Sequence, residues 1–284
     1  MLSNHTSDPI ESQLREEALY KPYQSLNAYL KKKYGEKIYK IALDGGFTCP
    51  NRDGTCGTRG CIFCSAGGSG EFATAIRQNS SIDAQITQAL ARFGNKQTGQ
   101  RFIAYFQAYT GTYAAPERLY ALYHMALSHP KIIGISIATR PDCLPAPVLD
   151  VIKQCQMEFP DKFVWIELGL QSVHEKTALY IRRGYPLSCF EGALETLQTM
   201  SVPVIVHVIL GLPGETRADM LATIDYLSHK NIFGIKLQLL HVLRGTDLAA
   251  EYERGVFSCL SKEAYIDLLC SCIDHLNPAI VLHR

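Results

Sequence analysis

The 284-residue chain predicts an α/β fold, a parallel sheet with outer helices that curves into a partial barrel of six β/α units. Three observations predict it. Short apolar runs rich in β-branched and aromatic residues recur six times, and their near-continuous apolar character suits parallel strands covered on both faces. Helical patterns fill the gaps, and six alternations in a row imply right-handed crossovers within one sheet. No obvious linker interrupts the pattern, and barrels of this length commonly form one domain.

The elements follow in order. Residues 1–34 read as an N-terminal arm and helix: a polar, irregular arm with one short helix, then a helical segment near Ser25–Tyr34 ending in Lys31-Lys32-Lys33. The barrel is assigned to residues 35–284. Its strands are expected at Ile38–Leu43, Phe102–Ala108, Ile132–Thr139, Val164–Leu170, Val202–Leu210 and Ile235–Val242. Ser81–Phe93 places Ile82, Ile86, Ala89, Leu90 and Phe93 on one helical stripe. Pro116–Leu127 opens with Pro and then Glu, as a first helical turn prefers. Further helices are expected at Pro147–Cys155, Glu175–Ile181, Cys189–Met200, Arg217–His229 and Lys262–Leu276. The last residues, Ile280–Arg284, read as the start of another strand.

Composition narrows the class. Net charge is +1, so no global basic field announces nucleic acid, and binding of that kind would need a local patch. No apolar stretch reaches membrane-spanning length and the polar N-terminus is no signal peptide, which points to the cytoplasm and to no membrane partner. Ten cysteines in such a chain are not expected to form a disulfide scaffold. Six are scattered and read as small buried apolar residues. Four fall between residues 49 and 64, directly after the first barrel strand, in the loop FTCPNRDGTCGTRGCIFCSAGGSG.

Within that loop, Cys49 is followed by eleven residues, Cys61, two residues and Cys64. Three thiolates can hold three irons of a cubane and leave the fourth open to a small chelating ligand. The loop glycines let the backbone wrap tightly around such a group. A zinc site or a ferredoxin-like carrier would use all four cysteines, including Cys56, and the spacing places iron–sulfur ahead of zinc without deciding between them.

Taken with the strand that precedes it and Phe63 beside the last cysteine, the loop resembles that of the radical S-adenosylmethionine (SAM) superfamily. The stretches CPNRDGTCGTRGCIFC, YFQAYTGTYA, ATRPDCLP, WIELGLQS, VHVILGLPGET and IKLQLLHVLRGT carry the resemblance across about residues 35–245. The sequence is similar to a YhcC/YtqA-type branch, related to the radical SAM domain of the Elongator catalytic subunit and to oxygen-independent coproporphyrinogen oxidase. The resemblance implies a radical SAM partial (β/α)6 barrel with a [4Fe–4S] cluster on Cys49, Cys61 and Cys64 and Cys56 as bystander. It also implies SAM on the open iron, a reductant such as flavodoxin or ferredoxin, and a 5′-deoxyadenosyl radical that takes hydrogen from the substrate. The family normally continues beyond residue 284, which implies a closing C-terminal segment.

Strand periodicity then assigns residues to the lumen. Tyr105, Gln107 and Tyr109 share a face, as do Ser136, Ala138 and Arg140, and Trp165, Glu167, Gly169 and Gln171. Burying Glu167 and Gln171 is costly without partners, so a polar ligand is the better account of them. By resemblance, Phe63, Gln107, Thr110, Arg140, Glu167, Gln171, Ser172 and Gly211 are the candidates for SAM contact. A Gln-Ala-Tyr-Thr-Gly run stands where the family usually carries Gly-Gly-Glu. Asp142 reads equally as a clasp for Arg140 or a ligand contact. His207 reads as a packed or hydrogen-bonded core histidine. Tyr109, Lys236 and Gln238 are candidates for substrate contact, and Tyr105, Tyr109 and Tyr113 could form a pocket wall or simple packing.

The branch implies tRNA as partner, with conversion of a wobble-uridine carboxymethylaminomethyl side chain to aminomethyl. Lys31–Lys33, Lys37, Arg52, Arg59, Arg92, Lys96, Arg101, Arg182 and Arg183 are the residues that could meet phosphates. Two alternatives stand beside this reading: a radical SAM enzyme for a small metabolite or tetrapyrrole, and a non-catalytic iron–sulfur or zinc protein.

Overall fold

A computed structural model describes residues 22–68, 81–93 and 99–283. The short helix expected in the N-terminal arm, Lys96, and the loop glycine at position 70 lie outside the described residues. Eight parallel strands form one sheet in the order β1-β8-β7-β6-β5-β4-β3-β2. The six predicted strands are its body: β2 (Tyr39–Leu43), β3 (Phe102–Phe106), β4 (Ile132–Thr139), β5 (Phe163–Gln171), β6 (Val204–Leu210) and β7 (Gly234–Leu239). Two short strands, β8 (Val281–His283) and β1 (Gln24–Ser25), extend it past β7.

The sheet curls. Lys40 on β2 and Lys236 on β7 both reach Glu167 on β5, each at 2.5 Å, although β2 and β7 stand at opposite ends of the six-strand body. Only a concave sheet brings those strands to one carboxylate. Outward-facing Ile41, Leu43, Ala104, Phe106, Ile135, Ile137, Ile166, Leu168, Val206 and Val208 pack beneath the helices in one continuous core. Those helices are α2 (Ile82–Phe93), α3 (Pro116–Ser128), α4 (Ala146–Glu158), α5 (Glu175–Tyr180), α6 (Leu187–Thr199), α7 (Arg217–Ser228) and α9 (Lys262–His275). A further short helix, α8 (Asp247–Glu253), was not legible as a periodic pattern.

The first helix, α1 (Leu26–Tyr34), closes the barrel at the amino ends of the strands. Ser25 caps it, its Oγ accepting from the Ala28 N–H at 3.2 Å, and Gly35 ends it at φ 77°. Leu30 is 1% exposed and packs with Ile38, Ile103, Ile133, Trp165 and Ile205, all at or near strand starts. Trp165 stacks on Phe163 at 4.0 Å and meets Phe233 and His283 at 5.0 and 5.5 Å. This aromatic layer is the barrel's plug, so any ligand must enter from the carboxyl ends. Among the described residues, no helix is long and apolar enough to cross a membrane.

Candidate active site

The cysteine loop leaves the carboxyl end of β2 and is tied to three neighbouring loops. Ile62 and Phe63 pack against Ile181, Ile209, Leu212, Leu240 and Leu248, which makes Phe63 an anchor of the loop. The Ile62 N–H donates to the Ile181 carbonyl at 3.2 Å, and the Leu248 N–H to the Ile62 carbonyl at 3.0 Å. Buried Asn51 donates to the carbonyls of Arg182 (2.8 Å) and Arg183 (3.2 Å), and its Nδ2 lies 3.5 Å from Cys61 Sγ. Arg52 donates to the carbonyls of Cys64 (2.9 Å) and Ser65 (2.5 Å). At Gly68, φ is +60°, and a Cβ there would run into the ring of Tyr109, whose N–H donates to the Gly68 carbonyl at 2.8 Å.

Cys49, Cys61 and Cys64 are half-buried and Cys56 is exposed. Burial pushes the Cys61 thiol up to about 11, with the charges of Cys64 and Cys49 adding to the rise, and Asn51 and Arg140 opposing it. The three thiols therefore stand within electrostatic reach of one another. Among the described residues no three His, Cys, Asp or Glu side chains already stand at metal-coordinating spacing. The donor set nonetheless fits an iron–sulfur cluster with one open iron: three thiols on one loop, flanked by guanidinium groups. Arg140 Nη1 lies 4.0 Å from Cys49 Sγ, and Arg52 shares the electrostatic field of Cys49 and Cys64.

The strand ends around the loop hold the other candidates, several in settings the sequence did not suggest. Arg140 is buried; it grips Asp142 through two nitrogens at 2.9 and 2.6 Å, and donates to the Arg183 carbonyl at 3.1 Å. The Arg140–Asp142 pair is thus a clasp that also sets a positive charge beside Cys49. Thr110 is buried, its N–H donating to the Thr48 carbonyl at 3.3 Å, and Gln107 is half-buried just past β3. Gln171 sits at φ +63° where the β5–β6 register shifts, and Tyr185 Oη is 3.4 Å from its Oε1. The Ser172 hydroxyl donates to Glu215, and Gly211 turns at φ +88° in the same region. Gln238 is exposed at the end of β7.

Glu167, one of the candidates for SAM contact, directs both oxygens at protein donors. Oε1 receives Lys40 Nζ and Ser136 Oγ, each at 2.5 Å. Oε2 receives Lys236 Nζ at 2.5 Å and lies 2.7 Å from His207 Nε2. A buried glutamate needs polar partners, and the protein's own lysines are among them. Lys236 is buried as well, and donates to Tyr105 Oη at 3.0 Å.

Two groupings that the sequence left open do not form among the described residues. The three tyrosines form no common wall: Tyr105 is in the lumen, Tyr109 donates to the Ala66 carbonyl at 2.6 Å, and Tyr113 meets Thr55 Oγ1 at 2.9 Å. Nor do the basic residues form one surface. Arg183 is 1% exposed and donates to the carbonyls of Leu170, Ser172 and Tyr185, so it braces the end of β5. Lys31–Lys33 lie on the plug helix, at the opposite mouth from the cysteines. Arg101 pairs with Glu36, whereas Arg59 and Arg182 share Asp247 beside the cysteine loop.

Comparison with known proteins places this geometry. Residues 54–227 match the radical SAM superfamily profile, and residues 232–284 match its Radical_SAM C-terminal domain. The uncharacterized protein YtqA of Bacillus subtilis is 40% identical over 264 residues, covering 93% of this chain and 80% of YtqA. The archaeal Elp3 of Methanocaldococcus infernus shares the fold at TM-score 0.63 and 14% identity, covering 86% of this chain and 55% of its own. Coproporphyrinogen III oxidase (HemN) of Escherichia coli, a radical SAM enzyme, does so at TM-score 0.57 and 16% identity, covering 94% and 61%. With a half-barrel of parallel strands, a three-cysteine loop at its open end and a profile match over most of its length, this chain belongs to the radical SAM superfamily of enzymes.

Proposed function

We propose that Cys49, Cys61 and Cys64 hold a [4Fe–4S] cluster, that SAM binds its open iron, and that the substrate is tRNA. In this reading a wobble-uridine carboxymethylaminomethyl side chain is converted to aminomethyl, and a flavodoxin- or ferredoxin-type donor supplies the electron. The observation that carries the cofactor assignment is the loop itself: three half-buried thiols tied by Asn51 and Arg52 at the open end of the barrel, with the fourth cysteine exposed. Held by these residues, the cluster and SAM would supply radical chemistry for removing hydrogen from the substrate.

The chain's own residues bind and orient. Asn51 aligns Cys61, and Arg140 and Arg52 offset thiolate charge. Gln107, Thr110, Gln171, Ser172 and Gly211 lie at or just past the carboxyl ends of β3, β5 and β6. The plug formed by α1 excludes water from below. The tRNA reading is supported by the branch that the sequence resembles, and by Arg59, which is well exposed beside the cysteine loop.

Anaerobically reconstituted, reduced protein is expected to form 5′-deoxyadenosine from SAM. Cys61→Ala should abolish it and Cys56→Ala should retain it; no product from a fully loaded wild-type cluster would overturn the assignment. For the substrate, tRNA from a deletion strain should accumulate the carboxymethylaminomethyl nucleoside. An unchanged wobble-uridine profile would remove tRNA and favour a small-molecule substrate.

A further inference from the structure

The lumen is built in layers, because side chains two residues apart on neighbouring strands stand at successive depths. At mid-depth the strands from β2 to β7 each contribute one polar side chain to a hydrogen-bonded cluster: Lys40, Tyr105, Ser136, Glu167, His207 and Lys236. One step towards the amino ends the layer is apolar and closed, with Ile38, Ile103, Trp165 and Ile205 buried against α1. One step towards the carboxyl ends the residues on β2, β4 and β5 are Ala42, Ala138 and Gly169, all partly exposed. Gln171 and Tyr185 stand over Gly169, at 2.7 and 3.2 Å from where a Cβ would lie. Side-chain exposures of 13% for Lys40 and 16% for His207 show that solvent reaches the polar layer.

This floor is short of one negative charge. Among the described residues Glu167 is its only acid, with an ammonium on each oxygen. His207 is held towards its neutral form by burial and by Lys236, and His283 by burial and by Lys40. Tyr105 is held protonated by burial and by Glu167. One positive charge is therefore left over in a poorly solvated place, where its cost is high until an anion arrives. Lys40 shows the deficit: burial, reinforced by Lys236, pushes its ammonium down to about 8 despite its contact with Glu167.

We propose that this polar layer is the substrate-recognition floor of the lumen and that Lys40, with Lys236 beside it, binds a carboxylate carried by the substrate. A monoanion matches the single surplus charge. The proposal rests on the reading that the substrate enters this barrel from the cysteine-loop end; the carboxymethylaminomethyl group carries such a carboxylate. Binding would hold the methylene carbons next to that carboxylate on the cysteine-loop side of the floor. Lys40 and Lys236 are thus specificity-determining residues, while Glu167 positions both.

The test uses the full chain, anaerobically reconstituted, with 13C-labelled lysine and the Lys40 signal identified by its loss in Lys40→Arg. Its titration midpoint is measured in chloride, in acetate at equal ionic strength, and with the carboxymethylaminomethyl nucleoside or its methyl ester. A carboxylate should raise the midpoint by about one unit, which by linkage is about tenfold tighter binding to the ammonium form. The nucleoside acid should bind about tenfold more tightly than its ester, a ratio that Lys40→Met erases and Lys40→Arg keeps. An unmoved midpoint with both acetate and the nucleoside acid overturns the proposal. A midpoint that moves with acetate while acid and ester bind alike upholds the carboxylate floor and removes the wobble-uridine reading.

Discussion

Glu167 shows how much a single side chain can rest on its neighbours. Burial acts to raise its carboxyl, and Lys236 and Lys40 outweigh that and hold it well below the usual carboxylate range. Replacing it by glutamine leaves two ammonium groups facing each other in the lumen, so Glu167→Gln should cost about 3–5 kcal/mol in urea unfolding. Because the folded-state value is depressed, the stability Glu167 contributes is present above its unfolded value near 4.5 and fades as pH falls towards the folded value. The wild-type advantage over Glu167→Gln should therefore stay level from neutral pH to about 4.5 and shrink below it. Lys40 has the opposite dependence: it loses its proton as pH rises through about 8, so affinity for a carboxylate should fall across that range. The alternation of β2 already held a signal for Lys40, since Ile41 and Leu43 face the helices while Lys40 and Ala42 face the lumen. Asn51 offered no such signal, because it sits in a loop without periodicity and its partners lie more than a hundred residues away.

Among the elements, the plug helix and the cysteine loop divide the work between the two ends of the barrel. Leu30 is the centre of the plug, and Leu30→Ala should cost about 2–5 kcal/mol in thermal or urea unfolding, as expected for a fully buried leucine. Iron content after reconstitution should be unchanged in that variant, because the cluster loop lies at the opposite mouth. Gly68→Ala should show the reverse pattern. Its positive φ and the Tyr109 ring penalise a methyl group, so iron and sulfide loading should fall while the barrel itself remains folded. Strand cores were legible in the sequence because alternation is continuous within them. It fails at their ends: Tyr109 and Gln171 both adopt positive φ, at 58° and 63°, so a two-residue period could not say where their side chains go. The helix α8 escaped notice for another reason. Seven residues are too few to display an amphipathic stripe, yet Asp247 at its start fixes Arg59 and Arg182 beside the cysteines.

For the molecule as a whole, charge placement decides which surface could meet a polyanion. The run Lys31–Lys33 stands at the plugged end, while Arg59 stands at the mouth. On the proposed tRNA reading, triple alanine replacement of the lysines should therefore leave tRNA affinity and product formation intact. Arg59→Ala should weaken tRNA binding and reduce its dependence on salt, as filter binding across ionic strengths would show. Equal effects from both replacements would mean that the nucleic acid wraps the barrel rather than approaching one end.

The sequence by itself determined the six-strand α/β barrel, the four-cysteine loop after its first strand, and the family to which these belong. Such features follow from periodicity, composition and local spacing, which neighbouring residues carry along the chain. Only the tertiary structure decided that Glu167 serves two lysines, that Arg183 is an interior brace, and that six strands each lend one polar group to a cluster in the lumen. Those facts depend on curvature, which brings β2, β5 and β7 to one point. No stretch of sequence encodes the distance between strands that are far apart along the chain.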